Sequence, residues 1–126
     1  FCLVGSERLG PVVLGQAGLH RLEDGSVEGV DPLAPFGPNA PEHLRRLHAF
    51  QHVGDLVVNG RYDPLTDELT AFEELVGSHG GLGGEQNIPF LLFPAGWQIG
   101  DGRLVGAPEV HSVLRGWLEG LEGETR

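Results

Sequence analysis

The chain has 126 residues and a net charge of −10, and all eight of its basic residues are arginine. Polyanion binding needs a basic face and a phosphate loop needs its lysine, so nucleic acid is not expected as a partner and a Walker-type site is excluded. The single cysteine, Cys2, rules out an intrachain disulfide and a thiolate zinc cluster.

A length of 126 residues suits one domain, and hydrophobic content of 40% suits a folded one. The 21 glycines predict turns and close backbone approaches rather than a helical bundle. No apolar run reaches the 18 or so residues of a membrane span, so no direct membrane contact is expected from this segment. The chain opens on Phe and holds no methionine, which reads as a processed product or an excised domain.

Phe1 to Ser6 reads as a buried strand, with Cys2 as a small hydrophobe within it. Pro11 to Leu14 reads as a second strand and Leu19 to Leu22 as a third. Asp24-Gly25 carries a hairpin turn signal. Gly29 to Pro38 is a proline-rich loop in which Asp31-Pro32 marks a turn, echoed later by Asp63-Pro64. Asn39, Pro41 and Glu42 predict a capped helix from Pro41 to about Phe50, with Leu44 and Leu47 on its apolar face.

Leu56-Val57-Val58 predicts a strand ended by the Asn59-Gly60 turn. Leu69 to Val76 fits a strand or a short helix. Ile88 to Pro94 predicts a strand confined by Pro89 and Pro94. Val110, Val113, Leu114, Trp117, Leu118 and Leu121 form one helical stripe, with Pro108 in the first turn and fraying after Glu122. The expected class is α/β or α+β, with a mixed sheet, a small strand meander, one short helix and a C-terminal amphipathic helix.

Six histidines are present. His43 and His48 read as a solvated helix face and His111 as a surface residue. His20 reads as an ordinary strand or turn residue. His48 and His52 have metal-ligand spacing only if the helix continues past Phe50, and no HExxH glutamate accompanies them. His79 differs, because it sits in Gly77-Ser78-His79-Gly80-Gly81-Leu82-Gly83-Gly84. Imidazole is a common neutral metal ligand and proton carrier. The bland reading is a glycine-rich hairpin that contains a histidine. The sharper one is a metal site completed by Asp55, Asp63, Glu73, Glu74 or Glu85, whose spacing fits no fixed ligand motif. The glycines do not match GxGxxG and precede a strand, which argues against a dinucleotide loop.

The stretch Val76-Gly77-Ser78-His79-Gly80-Gly81-Leu82-Gly83-Gly84-Glu85-Gln86, followed by Pro89-Phe90-Leu91-Leu92-Phe93-Pro94, resembles the C-terminal part of bacterial type I phosphodiesterase/nucleotide pyrophosphatase-like proteins, of the alkaline phosphatase superfamily. Gly29 to Gly37 and Asp55 to Pro64 resemble the same region, so the resemblance covers most of the chain. It implies a central sheet flanked by helices and two metal ions, commonly zinc, with His79 matching the histidine that completes one metal site. The family's upstream Thr or Ser nucleophile and its Asp-His-Gly motif have no counterpart here.

The resemblance therefore implies the C-terminal portion of a larger metal-dependent phosphoric-ester hydrolase, inactive in isolation. Its partners would be the rest of the parent chain and a phosphate-ester substrate, and the parent would be membrane-associated. The alternative is a non-catalytic binding or interaction module.

Overall fold

The computed structural model describes residues 1–72, 74, 79–100 and 103–124. They form two compact units, Phe1–Pro89 and Phe90–Arg126.

The first unit is built on a five-stranded sheet. Its strands are β1 (Cys2–Ser6), β2 (Gly10–Leu14), β3 (Gly18–Arg21), β4 (Val27–Gly29) and β5 (Leu56–Val58), in the order β4-β3-β2-β1-β5. Every pairing is antiparallel, where a mixed sheet was expected. The reason is connectivity. Tight turns join β1 through β4, so each strand reverses the one before it. The one long connection carries β5 to the far side of β1, again reversed.

The register places Val57, Leu3, Val13, His20 and Val27 in one row across the sheet. Leu3 and Val13 from this row are buried with Leu22, Leu33, Ala40 and Leu44, and this cluster is the core. Leu33 precedes a single 3-10 turn, Ala34–Phe36, and Ala40 and Leu44 come from the helix α1 (Ala40–His48).

Helix α1 is shorter than its expected span of 41–50, and Asn39 does not cap it through its side chain. Asn39 already has helical backbone angles, and Pro41 removes one of the amides its side chain would bond. Arg45 ties the helix to the sheet instead, its Nε donating to the Leu22 carbonyl at 2.5 Å. Between β3 and β4 the Asp24-Gly25 turn forms as expected, with Gly25 at φ 72°. The Asp24 carboxylate accepts from the Ser26 amide and hydroxyl, which holds its pKa below the ordinary 3.8.

After β5, a short hairpin of β6 (Tyr62–Asp63) and β7 (Glu68–Leu69) follows. Leu69 thus ends a strand, whereas Glu73 and Leu75 to Val76 of the segment read as strand or helix lie outside the described residues.

In the second unit the helix α2 (Gly106–Glu124) carries the expected stripe. The Trp117 ring lies 5.0 Å from both Phe93 and Trp97, and its indole N–H donates to the Gln98 carbonyl at 2.8 Å. The strand expected over Ile88 to Pro94 is not formed, because no neighbouring strand pairs with it among the described residues. No helix among the described residues is long and apolar enough to cross a membrane.

Candidate functional site

His79 lies on the wall of a cleft of about 310 Å³ in the first unit. One side of the cleft is the end of β5 and the irregular stretch just after β7, including Asn59, Thr70 and Phe72. The other is the glycine-rich loop, with Gly80, Gly81, Leu82 and the Gln86 side chain. His79 itself is exposed.

Local chemistry explains why the loop sits there. The Asn59 side chain works as a clamp: its Oδ1 accepts from the Leu82 amide at 2.8 Å, and its Nδ2 donates to the Leu82 carbonyl at 3.2 Å and the Gly60 carbonyl at 3.0 Å. The Asn59 backbone in turn exchanges two hydrogen bonds with Phe1 beside it, at 3.0 and 3.1 Å. Leu82, so held, packs against the core.

Gly83 is buried at φ 106°, and a Cβ there would lie 2.8 Å from Tyr62 Cγ. The loop closes in a 3-10 turn, Glu85–Asn87, and Gln86 Nε2 donates to the Gly83 carbonyl at 2.9 Å. Gln86 Oε1 is buried without a hydrogen-bond partner.

Tyr62, behind the loop, donates its hydroxyl to Asp67 at 3.0 Å. That bond favours the protonated phenol and raises its pKa above the ordinary 10.0.

The expected carboxylate partners of His79 do not assemble. No group of three or more His, Cys, Asp or Glu side chains placed to hold a metal exists among the described residues, and Glu73 lies outside them. Structural zinc takes four donors and catalytic zinc three from the protein. The described residues therefore do not make a zinc site by themselves. The His48/His52 pair is not formed either, since α1 ends at His48.

Two features escaped the sequence reading. Asn59 was legible only as a turn residue, and its real partner is 23 positions away. His20 is buried, with Nδ1 3.0 Å from Asp31 Oδ1. The same Asp31 oxygen accepts from the Leu33 amide at 2.9 Å, which is the turn that Asp31-Pro32 predicted. The pair pins the connection that delivers Leu33 to the core. Asp63 makes the equivalent turn with the Leu65 amide at 3.0 Å.

No family model, no curated protein and no solved structure matches the chain.

Proposed function

We propose that this chain is the C-terminal portion of a larger metal-dependent phosphoric-ester hydrolase with an alkaline phosphatase-like fold, and that His79 supplies one ligand of its metal site. The observation that carries the reading is a histidine on the wall of a cleft, on a loop held by Asn59 and Gln86, with too few donors around it among the described residues to hold a metal alone. The sequence around His79 supports it through the family resemblance. Bound zinc would supply Lewis acidity toward a phosphoryl group. This chain's own part is to hold one imidazole in place and to offer glycine backbone that a ligand can approach closely.

The test compares this chain with the product of its whole reading frame, measuring zinc content and hydrolysis of bis(p-nitrophenyl) phosphate. The chain alone is expected to be inactive. The longer product is expected to hydrolyse the ester, and His79→Ala to lower that rate beyond the roughly 10–100-fold that loss of an outer-shell partner costs. Activity in the chain alone, or full activity in His79→Ala, refutes the reading.

A second reading, a non-catalytic interaction module of a larger, membrane-associated protein, draws support from the bare apolar side chains of Phe90 and Leu92. A reading frame without an upstream Thr or Ser nucleophile segment and an Asp-His-Gly motif favours it over the hydrolase.

A further inference from the structure

The clamp that fastens the glycine-rich loop is built on the one Asn-Gly dipeptide in the chain. Of the three asparagines, Asn39, Asn59 and Asn87, only Asn59 is followed by glycine. A glycine nitrogen has no side chain beside it, so it can reach the preceding asparagine Cγ and close a five-membered ring. Asn39 and Asn87 precede alanine and isoleucine, whose side chains obstruct that approach.

The fold constrains both positions. A Cβ at residue 60 would fall on the Thr70 carbonyl oxygen, just beyond β7, so only glycine fits there. The side chain at residue 59 has to accept from the Leu82 amide and donate to the Leu82 and Gly60 carbonyls. A carboxamide does both, and glutamine is a methylene too long for the same spacing. Packing at one residue and hydrogen bonding at the other thus place Asn before Gly at the point where the loop is fastened.

The same contacts hold the reaction back. Ring closure needs the 59–60 peptide to turn until the Gly60 nitrogen faces Asn59 Cγ. The Asn59 backbone is instead held extended. It exchanges two hydrogen bonds with Phe1, an antiparallel pair that continues the ladder of β1 and β5. The leaving nitrogen, Nδ2, is tied to two carbonyls. The attacking nitrogen is not tied, since the Gly60 amide donates to no partner among the described residues. Opening the clamp is therefore the step that folding withholds.

We propose that Asn59-Gly60 is a deamidation site, restrained by the loop clamp, whose product releases the loop. Hydroxide takes the Gly60 amide proton and the nitrogen attacks Asn59 Cγ. The N–Cγ bond forms, the Cγ–Nδ2 bond breaks, and Nδ2 picks up a proton from water and leaves as ammonia. Water then adds to either ring carbonyl and cleaves its bond to nitrogen. The product is aspartate or, with a methylene inserted in the main chain, isoaspartate. Both carry a new negative charge and have no N–H for the Leu82 and Gly60 carbonyls, and isoaspartate also breaks the pairing with Phe1. The clamp does not re-form in full. One slow event thus converts the fastened loop beside His79 into a loose one, without return. The inference needs only the clamp and stands apart from the hydrolase reading.

The test incubates this chain in mildly alkaline buffer, folded or in guanidinium chloride, and follows Asn, Asp and isoAsp at position 59 by peptide mapping. Conversion is expected to be at least about 10-fold slower in the folded chain, because several hydrogen bonds must break together before the ring can close. Anion exchange then separates converted from unconverted chain by the added charge, and both fractions share every other effect of the incubation. In the fraction converted at Asn59, the amides of Gly80 to Gly84 are expected to exchange at least about 10-fold faster than in the unconverted fraction. Equal rates in the folded and denatured chain refute the restraint. No conversion at Asn59 in denaturant refutes the site, and loop exchange that is the same in both fractions refutes the release.

Discussion

Replacing Asn59 with alanine tests whether the glycine-rich loop is a fixed wall. The substitution removes three side-chain hydrogen bonds, two to Leu82 and one to Gly60, and leaves the Leu82 amide and carbonyl without their partner. A neutral hydrogen bond contributes about 0.5–1.5 kcal/mol net, and a buried group left unpaired costs about 1–3 kcal/mol. These groups are only partly buried, so water replaces some of what is lost, and the expected loss is about 2 kcal/mol.

With a urea m-value near the middle of the small-domain range of about 1–3 kcal/mol/M, the midpoint falls by about 1 M. Both tryptophans lie in the second unit, so the transition is best followed through amide NMR signals of β1 to β3. Asn59→Asp is the informative partner. A carboxylate still accepts from the Leu82 amide but has no N–H for the two carbonyls, so its loss should fall between wild type and alanine. A midpoint shift below about 0.2 M for Asn59→Ala, or an aspartate variant as stable as wild type, refutes the clamp.

The molecule has one tyrosine, so absorbance at 295 nm reads Tyr62 directly. Its pKa is expected above 10.0, and Asp67→Asn should bring it back toward that value. Asparagine suits the positive φ of 57° at position 67, which keeps the backbone out of the comparison. A phenol raised in the folded state stabilises that state fully below pH 10 and loses the contribution as pH rises through the folded value, so stability should begin to fall above pH 10 in wild type and fall less in Asp67→Asn. Leu3→Ala removes a side chain only 2% exposed at the centre of the core and should cost about 2–5 kcal/mol by urea denaturation. Gly83→Ala meets Tyr62 at 2.8 Å, whereas Gly80→Ala at φ 84° meets nothing within 4 Å. Urea midpoints should therefore fall clearly further for position 83, and equal losses would mean that conformation alone sets both.

Elements that carry their own cause were legible in the sequence. Pro11-Val12-Val13-Leu14 announces β2, and the stripe from Val110 to Leu121 announces α2, because burial imposes those patterns locally. Strand β4 left no such mark. All three of its residues are exposed, and only pairing with β3 defines it. The antiparallel pairing of β5 with β1 was equally hidden, since it follows from where the connection through α1 lands. Ile88 to Pro94 is the opposite case: its composition reads as a buried strand, yet Ile88, Phe90 and Leu92 are exposed and it pairs with no strand among the described residues.

The candidate site divides along the same line. His79 stood out because glycines surround it, and they do so for two different physical reasons. Gly83 and Gly81 have no room for a side chain, against Tyr62 and Asn59 respectively, while Gly80 opens onto the cleft. A glycine-rich loop is ordinarily taken as mobile, yet this one is fastened at Leu82 by Asn59, at Gly83 by Gln86 and underneath by Tyr62. Fastening matters for binding. A loop ordered beforehand does not lose conformational freedom when a ligand arrives, and each side chain already immobilised spares about 0.5–1.5 kcal/mol of ordering cost. The residues that do the fastening lie 3 to 23 positions from the loop residues they hold, and no local pattern links them. The histidine was therefore visible from sequence, whereas the fastening of the loop at Leu82 and Gly83 was visible only in the fold.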